Sequence, residues 1–181
     1  MEKEKIFFAG AGGQGILLMG KLLAYAAMEE GKQVTFLPSY GAEMRGGTAN
    51  CTVIVSDKPI SSPLIQTGDG IVVMNLPSFT KFESMVEPGR FLFINSSMID
   101  QKATRTDITP VYVDAYRIAE QIGEPRSANM VMLGAIVRTM NVVSMESIVK
   151  SMEHELTGKK ARFLDGNIKA LNAWERIYQN N

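Results

Sequence analysis

The sequence predicts an α/β domain, a three-layer sandwich around a mostly parallel, mixed sheet, with a helical C-terminal third. Three observations carry this. Short apolar runs bounded by glycine or proline recur through the first part of the chain. Helical periodicity dominates from about residue 128 onward. The first apolar run passes through a glycine turn directly into a helical pattern, the opening of a βαβ unit.

Residues 5–9 are short, apolar and followed by glycine, as a buried parallel strand is. Ile16, Met19, Leu22, Leu23, Ala26 and Ala27 then recur at helical spacing, and Gly31 stands where a helix ends. Residues 33–37 read as a second strand, closed by Pro38. The stretch 38–48 holds a proline, three glycines and two charges and reads as an irregular loop. Residues 49–56 alternate, with Cys51, Val53 and Val55 on one face, and form a third strand. Residues 57–69 are loop-like. Strands follow at 70–74 and 90–95, with a helix around 79–86 between them, and a last strand at 111–113 runs into a helix over 115–122. Ile168, Leu171, Trp174, Ile177 and Tyr178 mark a final amphipathic helix.

The chain of 181 residues shows no repeat, low-complexity linker or composition break, so residues 1–181 are expected to form one domain. Lys+Arg and Asp+Glu both number 19, a neutral balance that argues against a nucleic-acid partner. No stretch approaches the roughly 20 apolar residues of a membrane span, which points to a soluble, cytoplasmic protein. One cysteine excludes an internal disulfide and a cluster held by four thiolates, and one histidine excludes a histidine-rich zinc site.

Two loops are expected to leave the carboxyl ends of strands, where ligands of such sheets bind. The first, Gly10-Ala11-Gly12-Gly13-Gln14-Gly15, fits G-x-G-x-x-G at the mouth of a helix, whose free N–H groups and dipole suit an anion. The acid that would hold a dinucleotide ribose, roughly 20 residues on, is missing. Thr35, Phe36, Leu37 and Pro38 stand there. The loop therefore reads as a close-packing turn, as an anion site for Gly10, Gly12, Gly13, Gln14 and Gly15, or as a nucleotide site of Rossmann type in a free-standing oxidoreductase. In the second loop Arg45 is able to grip a carboxylate or phosphate, or to pair locally with Glu43. Cys51 reads as a small buried hydrophobe, His154 as part of a solvated face, Asp69 and Asp114 as capping or turn residues, and Asn129 as a helix cap or a ligand contact. No nucleophile, base and orienting group stand together, so no catalytic residue is assigned.

GAGGQG, YGAEMRGGTANCTV and NMVMLGA, in this order, resemble the gamma subunit of 2-oxoacid:ferredoxin oxidoreductases, over residues 6 to about 173. One departure is Ala42, where the family usually has proline. The resemblance implies a subunit of an enzyme that decarboxylates a 2-oxoacid oxidatively to an acyl-CoA and reduces ferredoxin. Thiamine diphosphate, magnesium and iron–sulfur clusters would lie in alpha, beta and, in some versions, delta partner subunits, and coenzyme A is a ligand this chain could share. The segments VIVSDKPISSP and NLPSF favour a 2-oxoglutarate or branched-chain enzyme over a pyruvate one. On this reading the chain serves assembly and coenzyme A access and is inactive alone. Tyr40, Glu43, Arg45, Gly46, Gly47 and Asn129 are the expected contacts to partner subunits.

Overall fold

The computed structural model describes residues 3–40 and 47–174, with Tyr40 described by its backbone alone. Glu43, Arg45, Gly46, Ile177 and Tyr178 lie outside the described residues. The elements are β1 (Glu4–Ala11), α1 (Ile16–Glu29), β2 (Gln33–Tyr40), β3 (Thr48–Ser56), β4 (Gly68–Val73), α2 (Leu76–Phe82), β5 (Val86–Asn95), β6 (Thr109–Val113), α3 (Ala115–Gln121), α4 (Ala128–Met140), α5 (Met145–Glu155) and α6 (Leu164–Leu171), with 3₁₀ turns at Glu83–Met85 and Gly158–Phe163.

The sheet runs β2-β3-β1-β4-β5-β6. β3 is antiparallel to both of its neighbours, β2 and β1, while β1, β4, β5 and β6 pair in parallel. β2 therefore points the same way as β1, and only β3 is reversed. Connections leave β1 toward β2 and leave β4 toward β5, in opposite directions across the sheet. The gap between the carboxyl ends of β1 and β4 is thus the topological switch point.

Two apolar layers sandwich the sheet. On one face Ile6, Phe8, Val53, Val72 and Phe93 pack beneath the helices α1, α3, α4, α5 and α6. On the other, Phe7, Ile71, Val73, Leu92 and Ile94 meet Phe79 of α2 and Ile99 and Ile108 of the β5–β6 connection, a thinner layer. Gly134 lets α4 and α6 touch, since a Cβ there would overlap the Leu171 carbonyl.

Several boundaries differ from the sequence reading. β2 continues through Pro38 to Tyr40, with Pro38 opposite Cys51. β2 is the edge strand, where half the backbone groups have no ladder partner and a missing N–H is tolerated. The helix expected near 79–86 is α2, already begun at Leu76, because Asn75 caps it (Ser78 N–H to Oδ1, 3.1 Å) and Pro77 suits a first turn. It gives way to a 3₁₀ turn at Glu83, which accepts the Thr104 N–H (2.6 Å) and the Thr104 hydroxyl (2.8 Å), and β5 then starts at Val86. The last helix begins at Leu164, ahead of Ile168. No described helix is long and apolar enough to cross a membrane.

Candidate functional site

The two glycine loops do leave the same end of the sheet. Ala11 lies opposite Thr48 and Tyr40 opposite Ala49, and the Gly12 N–H donates to the Gly47 carbonyl (3.0 Å). The α1 N-terminus begins at Gly15, in the left-handed region at φ 72°, with no side-chain cap.

Gln14 shapes the first loop. Its Oε1 accepts the Ala11 N–H (2.7 Å), and its Nε2 donates to the Met74 carbonyl (3.2 Å) and the Tyr116 hydroxyl (3.2 Å). Met74 follows β4, so Gln14 spans the switch-point crevice with its own amide. Buried Asn95 donates to the same carbonyl (3.1 Å) from the end of β5. These side chains line the place where a dinucleotide would lie in such a sheet.

The glycines divide into two kinds. A Cβ at Gly10 would stand 2.7 Å from both Gln14 Oε1 and Ile16 Cδ1, and one at Gly15 would overlap the Asn129 amide. These two glycines are demanded by close approach. Gly12 meets only the Gly47 carbonyl, at 3.7 Å, and Gly13, at φ 92°, meets nothing. Gly12 and Gly13 form an exposed tip, held from behind by Gln14. Leu76 and Met98, large apolar side chains exposed at 40% and 55%, follow β4 and β5 at the same end.

Asn129 is the second residue of α4, not its cap, a position that Ser127 holds. It is buried against Gly15. Asp69 accepts the Lys5 N–H (2.8 Å) and pairs with Arg90 (2.8 Å), which also grips Glu4, a clamp at the opposite end of the sheet. Asp114 does not cap α3. Ser97 does so in its place, accepting the Tyr116 N–H (3.0 Å) while its hydroxyl donates to Asp114. Cys51 is fully buried, with its thiol pushed up to about 12 by desolvation, which makes it a core residue and not a nucleophile. His154 is exposed.

A cavity of about 300 Å³ opens beside Asn129, between α1, α4 and the Gly158–Phe163 turn. The sequence reading passed over it. Its one signal there is the basic run Lys159, Lys160 and Arg162, which looks like an ordinary solvated face.

The family model for pyruvate ferredoxin/flavodoxin oxidoreductase matches residues 5–173. The chain belongs to this family. It is 34% identical over 177 residues to the ketoisovalerate oxidoreductase subunit VorA of Methanothermobacter marburgensis, covering 95% of this chain but 36% of that one. It is 35% identical over 153 residues to the 2-oxoglutarate synthase subunit KorC of Methanocaldococcus jannaschii, covering 83% of this chain and 82% of that one. The chain thus spans about a third of the first relative and most of the second. Its fold matches the gamma subunit of a keto/oxoacid ferredoxin oxidoreductase from Geobacter sulfurreducens, with TM-score 0.81, 28% identity and coverage of 97% and 99%. It also matches, in fold, a 2-oxoglutarate:ferredoxin oxidoreductase of Magnetococcus marinus solved with coenzyme A, with TM-score 0.89, 21% identity, and coverage of all of this chain and 32% of that one.

Proposed function

We propose that this chain is a gamma-type subunit of a multi-subunit 2-oxoacid:ferredoxin oxidoreductase, acting on 2-oxoglutarate or a branched-chain 2-oxoacid. The observation that carries this is the family match over residues 5–173, joined to the near end-to-end correspondence with a separate 2-oxoglutarate synthase subunit. Relatives named for ketoisovalerate and 2-oxoglutarate reach 34% and 35% identity and support these substrates, although other 2-oxoglutarate relatives, at 28–30%, are no nearer than the pyruvate relative at 30%.

The chain's own part is assembly and coenzyme A access. An iron–sulfur cluster does not fit it, because a cluster takes about four thiolates and the single cysteine is buried. Thiamine diphosphate, magnesium and the clusters supply the decarboxylation and electron transfer from partner subunits of the alpha, beta and delta kind. Gln14 and Asn129 hold the loop at residues 10–15 so that Gly12 and Gly13 face outward. With Tyr40, Glu43, Arg45, Gly46 and Gly47, and with Leu76 and Met98, this end of the sheet forms the docking surface.

Gly12→Val and Arg45→Ala, tested in the reconstituted complex, address this surface. Weakened assembly or a raised KM for coenzyme A is expected for both variants. Unchanged assembly, KM and turnover for both would remove this end of the sheet from the interface.

A further inference from the structure

At the carboxyl end of the sheet the backbone ladders stop short of the exposed groups. The β1–β4 ladder ends at Ala9 and Val73, and the β4–β5 ladder at Val73 and Ile94. Beyond them, side chains close a ring. The Gln14 amide donates to the Met74 carbonyl and to the Tyr116 hydroxyl, both at 3.2 Å. Asn95 donates to the same Met74 carbonyl (3.1 Å). Just after Asn95 in the chain, the Ser97 hydroxyl oxygen accepts the Tyr116 N–H (3.0 Å), and Tyr116 returns the circuit to Gln14. The Ser97 hydroxyl itself donates to Asp114, which turns its lone pairs toward the start of α3.

The exposed groups Gly13, Leu76 and Met98 each stand beside a member of this ring, on three different connections. Gly13 precedes Gln14, Leu76 comes shortly after Met74, and Met98 follows Ser97. The ring is not the most stable way to close the crevice. Asn95 is fully buried, and its Oδ1 has no hydrogen-bond partner among the described residues. A buried acceptor without a donor lowers stability, and an apolar side chain there would avoid that loss. The Met74 carbonyl would still be satisfied by Gln14. A polar group kept against stability points to a geometric duty.

We infer that this ring is a positioning frame for an interaction surface. Gln14, Asn95, Ser97 and Tyr116 fix the spacing of the glycine tip, Leu76 and the Met98 turn before a partner protein arrives, so that docking has fewer loops to order. The partner is another oxidoreductase subunit. The three groups are uncharged and two are large apolar side chains, which suits the centre of a protein interface. For its purpose the frame rests on the docking surface proposed above, but the frame itself is testable in the chain alone.

The test reads amide hydrogen exchange in the full chain and subunit affinity in the reconstituted complex. Tyr116→Phe removes the hydroxyl beside Gln14, and Ser97→Ala removes the hydroxyl beside Met98. Each should speed exchange on the far side of the ring by about threefold to tenfold, with the β1 ladder amides unchanged. The far side is the Met98 and Ile99 N–H groups, bonded to the Asn95 carbonyl, for Tyr116→Phe, and the Gln14 N–H, bonded to the Ala11 carbonyl, for Ser97→Ala. Both variants should weaken binding to the partner subunits by about fivefold or more. Asn95→Leu should keep a thermal midpoint at or above that of the unaltered chain and still weaken assembly, a pairing that a merely structural role does not give. Faster exchange confined to the near side in both variants, or assembly as tight as the unaltered chain's in all three, would overturn the inference. Failure of the unaltered chain to bind any partner subunit would instead remove the reading beneath it, whereas undiminished binding by all three variants removes the inference alone.

Discussion

Gly15 and Gly12 belong to one motif and have opposite structural duties. At Gly15 a Cβ would overlap the Asn129 amide, and φ is 72°. Gly15→Ala should therefore destabilise the fold by about 2–4 kcal/mol in a denaturant melt. Gly12 faces open space, so Gly12→Ala should stay within about 0.5 kcal/mol of wild type. A large loss at Gly12 would mean that the tip is packed and not presented. Cys51, with its thiol raised to about 12, should resist thiol reagents at neutral pH until the protein unfolds. Rapid modification of the native protein would contradict its burial. Sequence reading placed Gly10, Gly12, Gly13, Gln14 and Gly15 in one loop but could not sort them. Which glycine is demanded by packing depends on Asn129, over a hundred residues away, and the role of Gln14 depends on Met74 and Tyr116.

Between elements, the seam joining the end of α1 to the start of α5 is electrostatic. Burial works against ionising Glu30, but Lys32, the Ser144 N–H (2.6 Å) and the Ser147 hydroxyl outweigh it and hold its carboxyl at about 2, down from the ordinary 4.5. A depressed folded value means that the stabilisation is fully present above pH 4.5 and is lost as pH falls toward 2. Glu30→Gln should flatten that part of the acid-unfolding curve, and an identical pH dependence in the variant would show the seam to be uncoupled. Gly134→Ala, forced against the Leu171 carbonyl, should cost about 1–3 kcal/mol and loosen α6 first, as read by hydrogen exchange. The strands and helices were legible because their apolar periodicity is local. Their ends were less so. Pro38 looks like a strand terminator until the strand is known to lie at the sheet edge, and Asp114 looks like a cap until Ser97 arrives from the β5–β6 connection.

For the whole molecule, the chain's own Gln14, Asn95 and Tyr116 bridge the switch point between β1 and β4, and the exposed groups among the described residues at that end include Gly12, Gly13, Leu76 and Met98, suited to another protein surface. The family was legible from three motifs in order. The cavity lined by Arg126 and Lys160 was not, because its residues come from α1, α4, α5, α6 and the connections before α4 and α6. The measurement that tests the subunit reading most directly is affinity isolation of the tagged chain from its native cells under anaerobic conditions, with the partners weighed by mass spectrometry. The account predicts that larger oxidoreductase subunits come with it, together with thiamine diphosphate and iron. A chain that emerges alone, with neither in the eluate, would contradict it.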